Sequence, residues 1–274
     1  MKKNLSILIL IIHTVIFFIT YLIPYNLLSE SNVTLALILL LIIYLSTFSL
    51  LYRFTFNIIP GYIFGVFVFI VGFLGNIVAI IFSPEYVMWE KSISVLGHHP
   101  GGMFMRIGLV LSYTLAIPFI IYLGRTLKDA EVNENMRKLA VGSGIFVSVT
   151  AVLTGTFSGI NPFISLLHGL FALMSWLGGV VVCLLFGFLM RKNSRFSKLI
   201  TNFTLAITGI LVGYLIPFFI VNFCNTFPET SSVYAVGRSI YTIMPTFEWV
   251  LILGTLFWYL ASSIYLLNID KNPV

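Results

Sequence analysis

Long uninterrupted apolar segments constrain this chain more than any other feature of its sequence. A helix needs about 20 mostly apolar residues to cross the hydrocarbon core of a bilayer. Eight segments of the 274-residue chain approach that length, at about 5–24, 34–52, 61–83, 107–124, 139–159, 163–190, 199–223 and 245–268. The sequence therefore predicts an all-α fold, a polytopic transmembrane bundle of about eight helices.

The composition excludes an ordinary soluble domain. Hydrophobic residues make up 59% of the chain and charged residues only 9%, whereas soluble domains are roughly a quarter charged. Most of the surface must therefore face lipid. The net charge of +6 comes from basic residues in short loops, so we expect membrane lipids, and no nucleic acid, as partners. Nothing in the sequence indicates an oligomeric state.

The distribution of Lys and Arg predicts the orientation of the helices. Twelve of the 15 basic residues fall on one side of the predicted bundle, and Lys91, Arg106 and Arg238 fall on the other. Cytoplasmic loops carry the excess of Lys and Arg. We therefore expect a multi-pass plasma-membrane protein with both termini in the cytoplasm.

The first two apolar segments differ from the others because they contain no glycine. Small residues let helices approach closely in lipid, so helices without them pack loosely. We therefore predict an N-terminal transmembrane hairpin at 1–58 and a six-helix core at 59–274. A chain that begins near Phe56 should still insert and fold its core, and its degradation would contradict this division.

Glycine spacing indicates where the core helices pack closely. Two glycines four residues apart on one helix let a second backbone approach in lipid. Three pairs have this spacing: Gly61 and Gly65, Gly155 and Gly159, and Gly209 and Gly213. We expect each pair to lie at a helix–helix contact.

Polar residues that could bind a ligand gather on the predicted outer side. They lie in the loop from about Ser83 to Arg106, in the first turns of the sixth and eighth helices, and in the last outer loop. Within the first loop, Ser92–Gly97 could form a short interfacial helix or a re-entrant turn. The candidate pocket residues are Ser92, Ser94, His98, His99, His168, Arg238 and Glu248.

Each of these residues also has a structural explanation. A carboxylate such as Glu248 at a helix start is stabilised by unpaired backbone N–H groups and the helix dipole. An intramembrane histidine such as His168 often forms an interhelical hydrogen bond.

The sharpest hypothesis concerns Glu248 and His168, which lie at similar depths below their helix starts. We expect the two side chains to approach within hydrogen-bonding distance, directly or through one water, beneath Ser92–Gly97. A lone buried charge costs several kcal/mol, so the carboxylate should have a partner. Arg238 is the alternative partner, reaching down from its loop.

Catalytic signatures do not accompany these residues. The sequence contains no Gly-x-Ser-x-Gly, no His-Glu-x-x-His and no phosphate-binding glycine loop. Cys183 and Cys224 lack metal-ligand spacing. We expect no cofactor. The less favoured alternative is a metal site formed by His98, His99, His168 and Glu248.

Several of these residues belong to a wider pattern. It comprises Gly72 and Gly75, the Ser92-Ile93-Ser94-x-Leu96-Gly97 loop, Gly108, the Gly159-x-x-Pro162…His168 stretch, Glu248 and the later Trp258. In these features the chain from about Gly61 onward resembles the prokaryotic membrane family called domain of unknown function 998. That family is distantly similar to the eukaryotic Frag/DRAM/Sfk group.

The resemblance covers about 210 residues and implies a six-helix core. The eukaryotic relatives look like lipid-associated or regulatory membrane proteins, and the prokaryotic family has no assigned reaction. The chain departs from the pattern in its two helices before Gly61. It also has Trp249 where a basic residue would follow the glutamate.

Three functions are compatible with these observations. We favour a non-enzymatic protein that binds or organises lipid through an outward-facing polar pocket. The alternatives are a membrane-embedded, metal-dependent hydrolase acting on lipid, and a small-solute transporter. Fold-level analogy cannot choose among them, because function depends on the site rather than on the fold.

Overall fold

The described part of the chain folds into helices joined by turns and loops, and it contains no β-strand. The computed structural model describes residues 7–8, 10–12, 14–15, 39, 42–46, 48–49, 55, 58–128, 131–157 and 162–271. The helices from residue 61 onward are α1 (Gly61–Ile81), α2 (Ile93–Leu96), α3 (Gly102–Thr126), α4 (Glu134–Thr156), α5 (Pro162–Lys192), α6 (Lys198–Cys224), α7 (Ser232–Tyr241) and α8 (Met244–Lys271).

Six of these helices, α1, α3, α4, α5, α6 and α8, are long and apolar enough to cross a membrane. Their bounds differ from the six predicted core segments by no more than five residues. The all-α, multi-pass architecture is thus confirmed. The predicted spans at 5–24 and 34–52 lie largely outside the described residues, so the total of about eight and the division at residue 58 stay predictions.

The six long helices form a closed ring. In order around the ring, α1 packs on α3, α3 on α4, α4 on α5, α5 on α6, α6 on α8, and α8 back on α1. Neighbours in the ring run antiparallel, so both α2 and α7 lie at the same end of the bundle. We call this the α2 end. The connections at 127–133 and 193–197 lie at the opposite end.

Helices α1 and α3 approach each other closely at glycine residues. A methyl group on Gly75 would lie 2.9 Å from the Cα atom of Gly108. One on Gly65 would lie 2.5 Å from the Phe119 ring. Only glycine permits this spacing, because any Cβ would overlap the facing helix. The predicted packing role of Gly65, with that of Gly61 four residues earlier, is confirmed.

The contact predicted for Gly209 and Gly213 is not formed within the described residues. Within the described residues, no atom outside their own helix lies within 4 Å of a Cβ added at either position. The buried face of α6 carries Thr204, Ile207 and Leu211 instead. Spacing shows that the two glycines share a face, but not that this face meets a partner. Gly155 does pack closely on α3, and Gly159 lies outside the described residues.

Described residues before α1 touch the ring. Leu10 is fully buried in the same apolar cluster as the ring helices. Ile43 and Tyr44 pack against α3 residues, and the Tyr44 hydroxyl hydrogen-bonds with the Thr114 side chain. At least part of the N-terminal segment therefore contributes packing to the core.

Candidate functional site

The short helix α2 lies across one end of the ring, and its sequence explains its local structure. The Ser92 hydroxyl accepts a hydrogen bond from the Val95 N–H at 3.3 Å, which caps the helix start. Ile93 and Leu96 point into an apolar cluster with Met105 and Trp249. Of the two predicted structures for Ser92–Gly97, the short helix is the one formed.

The carboxylate of Glu248 holds the start of α2. Its Oε2 atom accepts a hydrogen bond from the Ile93 N–H at 3.0 Å, and its Oε1 atom lies 3.5 Å from the Ser94 hydroxyl. The Glu248 side chain is 3% exposed. The N–H groups of a first helical turn have no intrahelical partner, so a carboxylate is favourable there. The hydrogen-bond partners of Glu248 thus belong to α2. The predicted position in the first turn of its own helix is wrong, because α8 begins at Met244 and its first turn contains no acidic residue.

The guanidinium of Arg106 holds the other end of α2. It donates a hydrogen bond to the Gly97 carbonyl, and Arg106 is 5% exposed. Sequence reasoning placed Arg106 at the end of an outer loop, but it lies in the first turns of α3. Its setting between the apolar residues Met105 and Ile107 is a signal for a buried, partnered arginine. The buried Glu248 carboxyl group and the buried Arg106 guanidinium therefore lie at opposite ends of the single turn of α2.

A second contact ties the preceding loop to α8. The Trp249 indole N–H donates to the Tyr86 hydroxyl at 2.8 Å, and that hydroxyl donates to the Lys91 carbonyl at 2.8 Å. Burial raises the pKa of Tyr86 to about 12; the Trp249 hydrogen bond opposes this rise and the Glu248 charge adds to it. Neutral Tyr86 is therefore the form that the folded loop favours.

The loop histidines lie outside the space beneath α2. His98 is exposed, and partial loss of hydration, the Arg106 charge and the neighbouring His99 lower its pKa. The His99 ring packs edge-on against Tyr86, with 5.6 Å between ring centroids. Neither histidine lines a cavity described below.

A cavity of about 110 Å³ follows the axis of the ring and receives side chains from all six long helices. Beneath α2 it is lined by the polar side chains of Asn76, Ser94, Arg106, His168 and Glu248. Its deep end is mainly apolar and aromatic, with Tyr113, Cys183, Leu256, Trp258 and Tyr259, and the hydroxyl residues Ser112 and Thr255 also line it. The Trp258 indole N–H donates a hydrogen bond to the Thr204 hydroxyl at 3.0 Å, which fixes the position of the Trp258 ring at the deep end of the cavity.

A second cavity of about 280 Å³ adjoins the first between α5, α6 and α8. It carries the aromatic side chains Trp176, Tyr214, Phe218 and Tyr241. Both cavities are lined by Ser94, His168, Ala172, Trp176 and Glu248. We refer to the two together as the ring cavity, and to the second as the side chamber.

The direct hydrogen bond expected between Glu248 and His168 is not formed, because each side chain has another partner. Both residues line the ring cavity beneath Ser92–Gly97. Within the described residues, however, no hydrogen bond or ion pair joins them. The Glu248 carboxylate bonds to α2, and His168 Nδ1 lies 2.9 Å from the Thr154 carbonyl oxygen. The interhelical hydrogen bond expected of His168 is therefore present, between α5 and α4.

Arg238 does not pair with Glu248. It lies on α7, a helix where a loop was predicted, and is exposed. Its guanidinium carbon lies 5.6 Å from the centroid of the Tyr241 ring. The segment is short and amphipathic, so hydropathy alone did not reveal it.

The four residues of the alternative metal site, His98, His99, His168 and Glu248, do not come together in one cluster. Over the described ranges, no group of three or more His, Cys, Asp or Glu side chains is placed to hold a metal ion. Of the four candidates, only His168 and Glu248 line the ring cavity.

The fold and the site together define a multi-pass helical membrane protein with an internal cavity closed at one end by a short helix. No family model, no curated protein and no solved structure matches the chain. The resemblance to the family called domain of unknown function 998 is not tested by these comparisons and stays a prediction.

Proposed function

We propose that this protein binds a lipid or a similar amphiphile in the ring cavity, with the α2 end facing outward, and that it acts without catalysing a reaction. The observation that carries the proposal is the polarity of the cavity. Glu248, His168 and Arg106 lie at its α2 end, and Trp258 and Tyr259 line its deep end. An amphiphile presents the same order of groups.

The chemistry of the cavity walls supports this choice of ligand. Ligand sites are mostly apolar, with a few polar groups that fix orientation. A hydrocarbon tail gains little from leaving lipid for an apolar cavity, so polar contacts and close packing must supply the selectivity. Ser94 and Glu248, which line both parts of the cavity, are suited to bind the headgroup.

The side chamber supplies a route for such a ligand. Its walls come from α5, α6 and α8, and it reaches Asn222 and Asn225 at the exposed end of α6. An amphiphile could enter there with its headgroup at the membrane interface. Its tail would then pass between Ala172 and Glu248 towards the ring axis.

Filling the cavity tests the proposal. Ala172 lines both parts and is 6% exposed. Ala172→Phe should reduce the lipid that co-purifies with the full chain, measured by native mass spectrometry, and should reduce the rise in melting temperature caused by added lipid. Ala206→Phe is the matched control, because Ala206 lies on the exposed face of α6.

Equal lipid retention and equal thermal response in the two variants would contradict the proposal. The same preparations separate the alternatives. A metal ion bound at one per chain would favour the hydrolase, and solute uptake into vesicles containing the protein would favour the transporter.

A further inference from the structure

The side chamber combines a carboxylate with a cluster of aromatic rings. Trp176 meets Tyr214 edge-on with 4.8 Å between centroids and meets Phe218 at 5.6 Å. Tyr214 and Phe218 are stacked at 6.0 Å. Glu248 lines the same chamber. Three mutually packed rings therefore share one space with a buried acid.

Glu248 retains unused capacity to accept hydrogen bonds. An ionised carboxylate offers about four acceptor positions. The Ile93 N–H occupies one at 3.0 Å, and the Ser94 hydroxyl, at 3.5 Å, lies at the limit of a hydrogen bond. The remaining positions are open to a donor in either part of the ring cavity.

The carboxylate also lacks a partner cation in the described part of the chain, where both ion pairs belong to Glu134. The two arginines at the α2 end are engaged elsewhere. Arg106 donates to Gly97 at the far end of α2, and Arg238 lies over Tyr241 on the exposed face of α7. Because a buried charge without a counterion is costly, a cationic ligand would bind favourably beside Glu248.

Aromatic rings around a carboxylate form a recognisable kind of site. The faces of Trp, Tyr and Phe attract cations, and clusters of such rings recognise quaternary ammonium groups. One such contact contributes a factor of roughly 2 to 30 in affinity. Tyr241, at the rim of the chamber, already holds a guanidinium against its ring.

We infer that the side chamber binds an organic ammonium group between Glu248 and the rings of Trp176, Tyr214 and Phe218. This inference rests on the proposed binding of an amphiphile and specifies its headgroup. A positively charged nitrogen with alkyl substituents satisfies both the carboxylate and the rings. A headgroup with only negative charge, such as a sulfonate, would be repelled by Glu248. Lipid headgroups and free amphiphilic cations both contain such an ammonium group.

Three photoreactive probes that differ only in their headgroup test the inference. The probes share one alkyl chain and carry a trimethylammonium, an uncharged or a sulfonate head. Each is crosslinked to the full chain in neutral detergent, and labelled peptides are identified by mass spectrometry. We expect the trimethylammonium probe to label peptides of α5, α6 and α8 at least about tenfold more than the sulfonate probe, as expected for one charge contact and one ring contact.

Matched variants locate the effect. Glu248→Gln and Trp176→Leu should each reduce trimethylammonium labelling by a factor of about 2 to 30. Glu229→Gln and Phe223→Leu, an exposed acid and an exposed ring of the same end of the bundle, should leave it unchanged. Thermal unfolding of each variant checks its folding, and Trp176→Leu remains a test should Glu248→Gln fail to fold.

The outcomes separate this inference from the proposed function. Equal labelling of the cavity by all three probes, or labelling unaffected by both Glu248→Gln and Trp176→Leu, would overturn the ammonium site and leave the amphiphile cavity standing. Failure of every probe to label the cavity would refute both. Competition by tetramethylammonium would identify free cations as ligands, and competition by phosphatidylcholine nanodiscs alone would identify a lipid headgroup. Competition by neither would also overturn the inference.

Discussion

The Glu248 carboxylate accepts a hydrogen bond from the Ile93 N–H at 3.0 Å, between residues 155 positions apart in the chain. The next residue, Trp249, donates to Tyr86 in the same loop. One turn of α8 therefore fixes both α2 and the segment before it. These contacts therefore hold α2 over the polar end of the ring cavity.

Removal of the Glu248 carboxylate should loosen α2. Hydrogen bonds to charged groups contribute about 1.5–3 kcal/mol, so Glu248→Ala should lower the free energy of unfolding by that amount. It should also speed hydrogen exchange at Ile93. Glu248→Gln should cost less, because its amide oxygen can still accept from Ile93. Both are measured by unfolding in mixed micelles and by hydrogen-exchange mass spectrometry.

Glu229→Ala serves as the control for this experiment, since Glu229 is an exposed acid near the α2 end. Exchange at Ile93 that is the same in Glu248→Ala and in the wild type would mean that α2 does not depend on the carboxylate.

The contact between Trp249 and Tyr86 should be measurable as a coupling energy. Trp249→Phe and Tyr86→Phe each remove one partner of the 2.8 Å hydrogen bond. A double-mutant cycle should give a coupling of about 0.5–1.5 kcal/mol in the free energy of unfolding. A coupling of zero would show that the two side chains do not stabilise the loop together.

The same tyrosine should make stability depend on pH under alkaline conditions. Burial raises the pKa of Tyr86 from 10.0 to about 12. The neutral form is favoured in the folded state, so its contribution to stability is complete below pH 10.0 and is lost as the pH rises through about 12. The difference in stability between the wild type and Tyr86→Phe should shrink over this range. A difference that stays constant with pH would contradict the assignment.

Two glycines with different surroundings should respond oppositely to alanine. A methyl group on Gly75 would press on the backbone of α3, whereas one on Gly209 meets open space in the described structure. Overpacking costs about 1–3 kcal/mol, so Gly75→Ala should lower the melting temperature. Gly209→Ala should be neutral or stabilising by up to about 1 kcal/mol, from helix propensity. The reverse order would show that α1 and α3 do not cross at Gly75.

The hydropathy of the sequence was sufficient to predict the six core helices, because a membrane span requires a long apolar segment. It missed α7, whose ten residues are too short and too amphipathic for that signal. It also could not choose the contact face of α6. Helical spacing places Gly209 and Gly213 on one face, but only packing decides whether that face meets another helix.

The sequence indicated which residues gather at the candidate site, but not which groups they hydrogen-bond with. Both Glu248 and His168 line one cavity, as residues at similar depths below their helix starts can. Their actual partners, the Ile93 N–H and the Thr154 carbonyl, are backbone groups that every sequence contains. Residue types therefore could not indicate these partners. The role of Arg106 depends likewise on a backbone carbonyl, that of Gly97.

The orientation in the membrane stays a prediction that reporter fusions can test. Eight basic residues lie in the connections at 127–133 and 193–197 or in the helix ends beside them, opposite α2: Arg125, Lys128, Arg137, Lys138, Arg191, Lys192, Arg195 and Lys198. Fusions after Lys128 and Lys198 should therefore report a cytoplasmic location, and fusions near His99 and Glu229 an extracytoplasmic one. Inverted results at two of these sites would contradict both the orientation and an outward-facing cavity.

A density map of the full chain in lipid nanodiscs tests the central claim most directly. We expect elongated density in the ring cavity, with its head beside Glu248 and His168 and its tail extending towards Trp258. A map in which the six helices form the same ring and α2 is bound to Glu248, but the cavity contains no such density, would contradict the binding of an amphiphile.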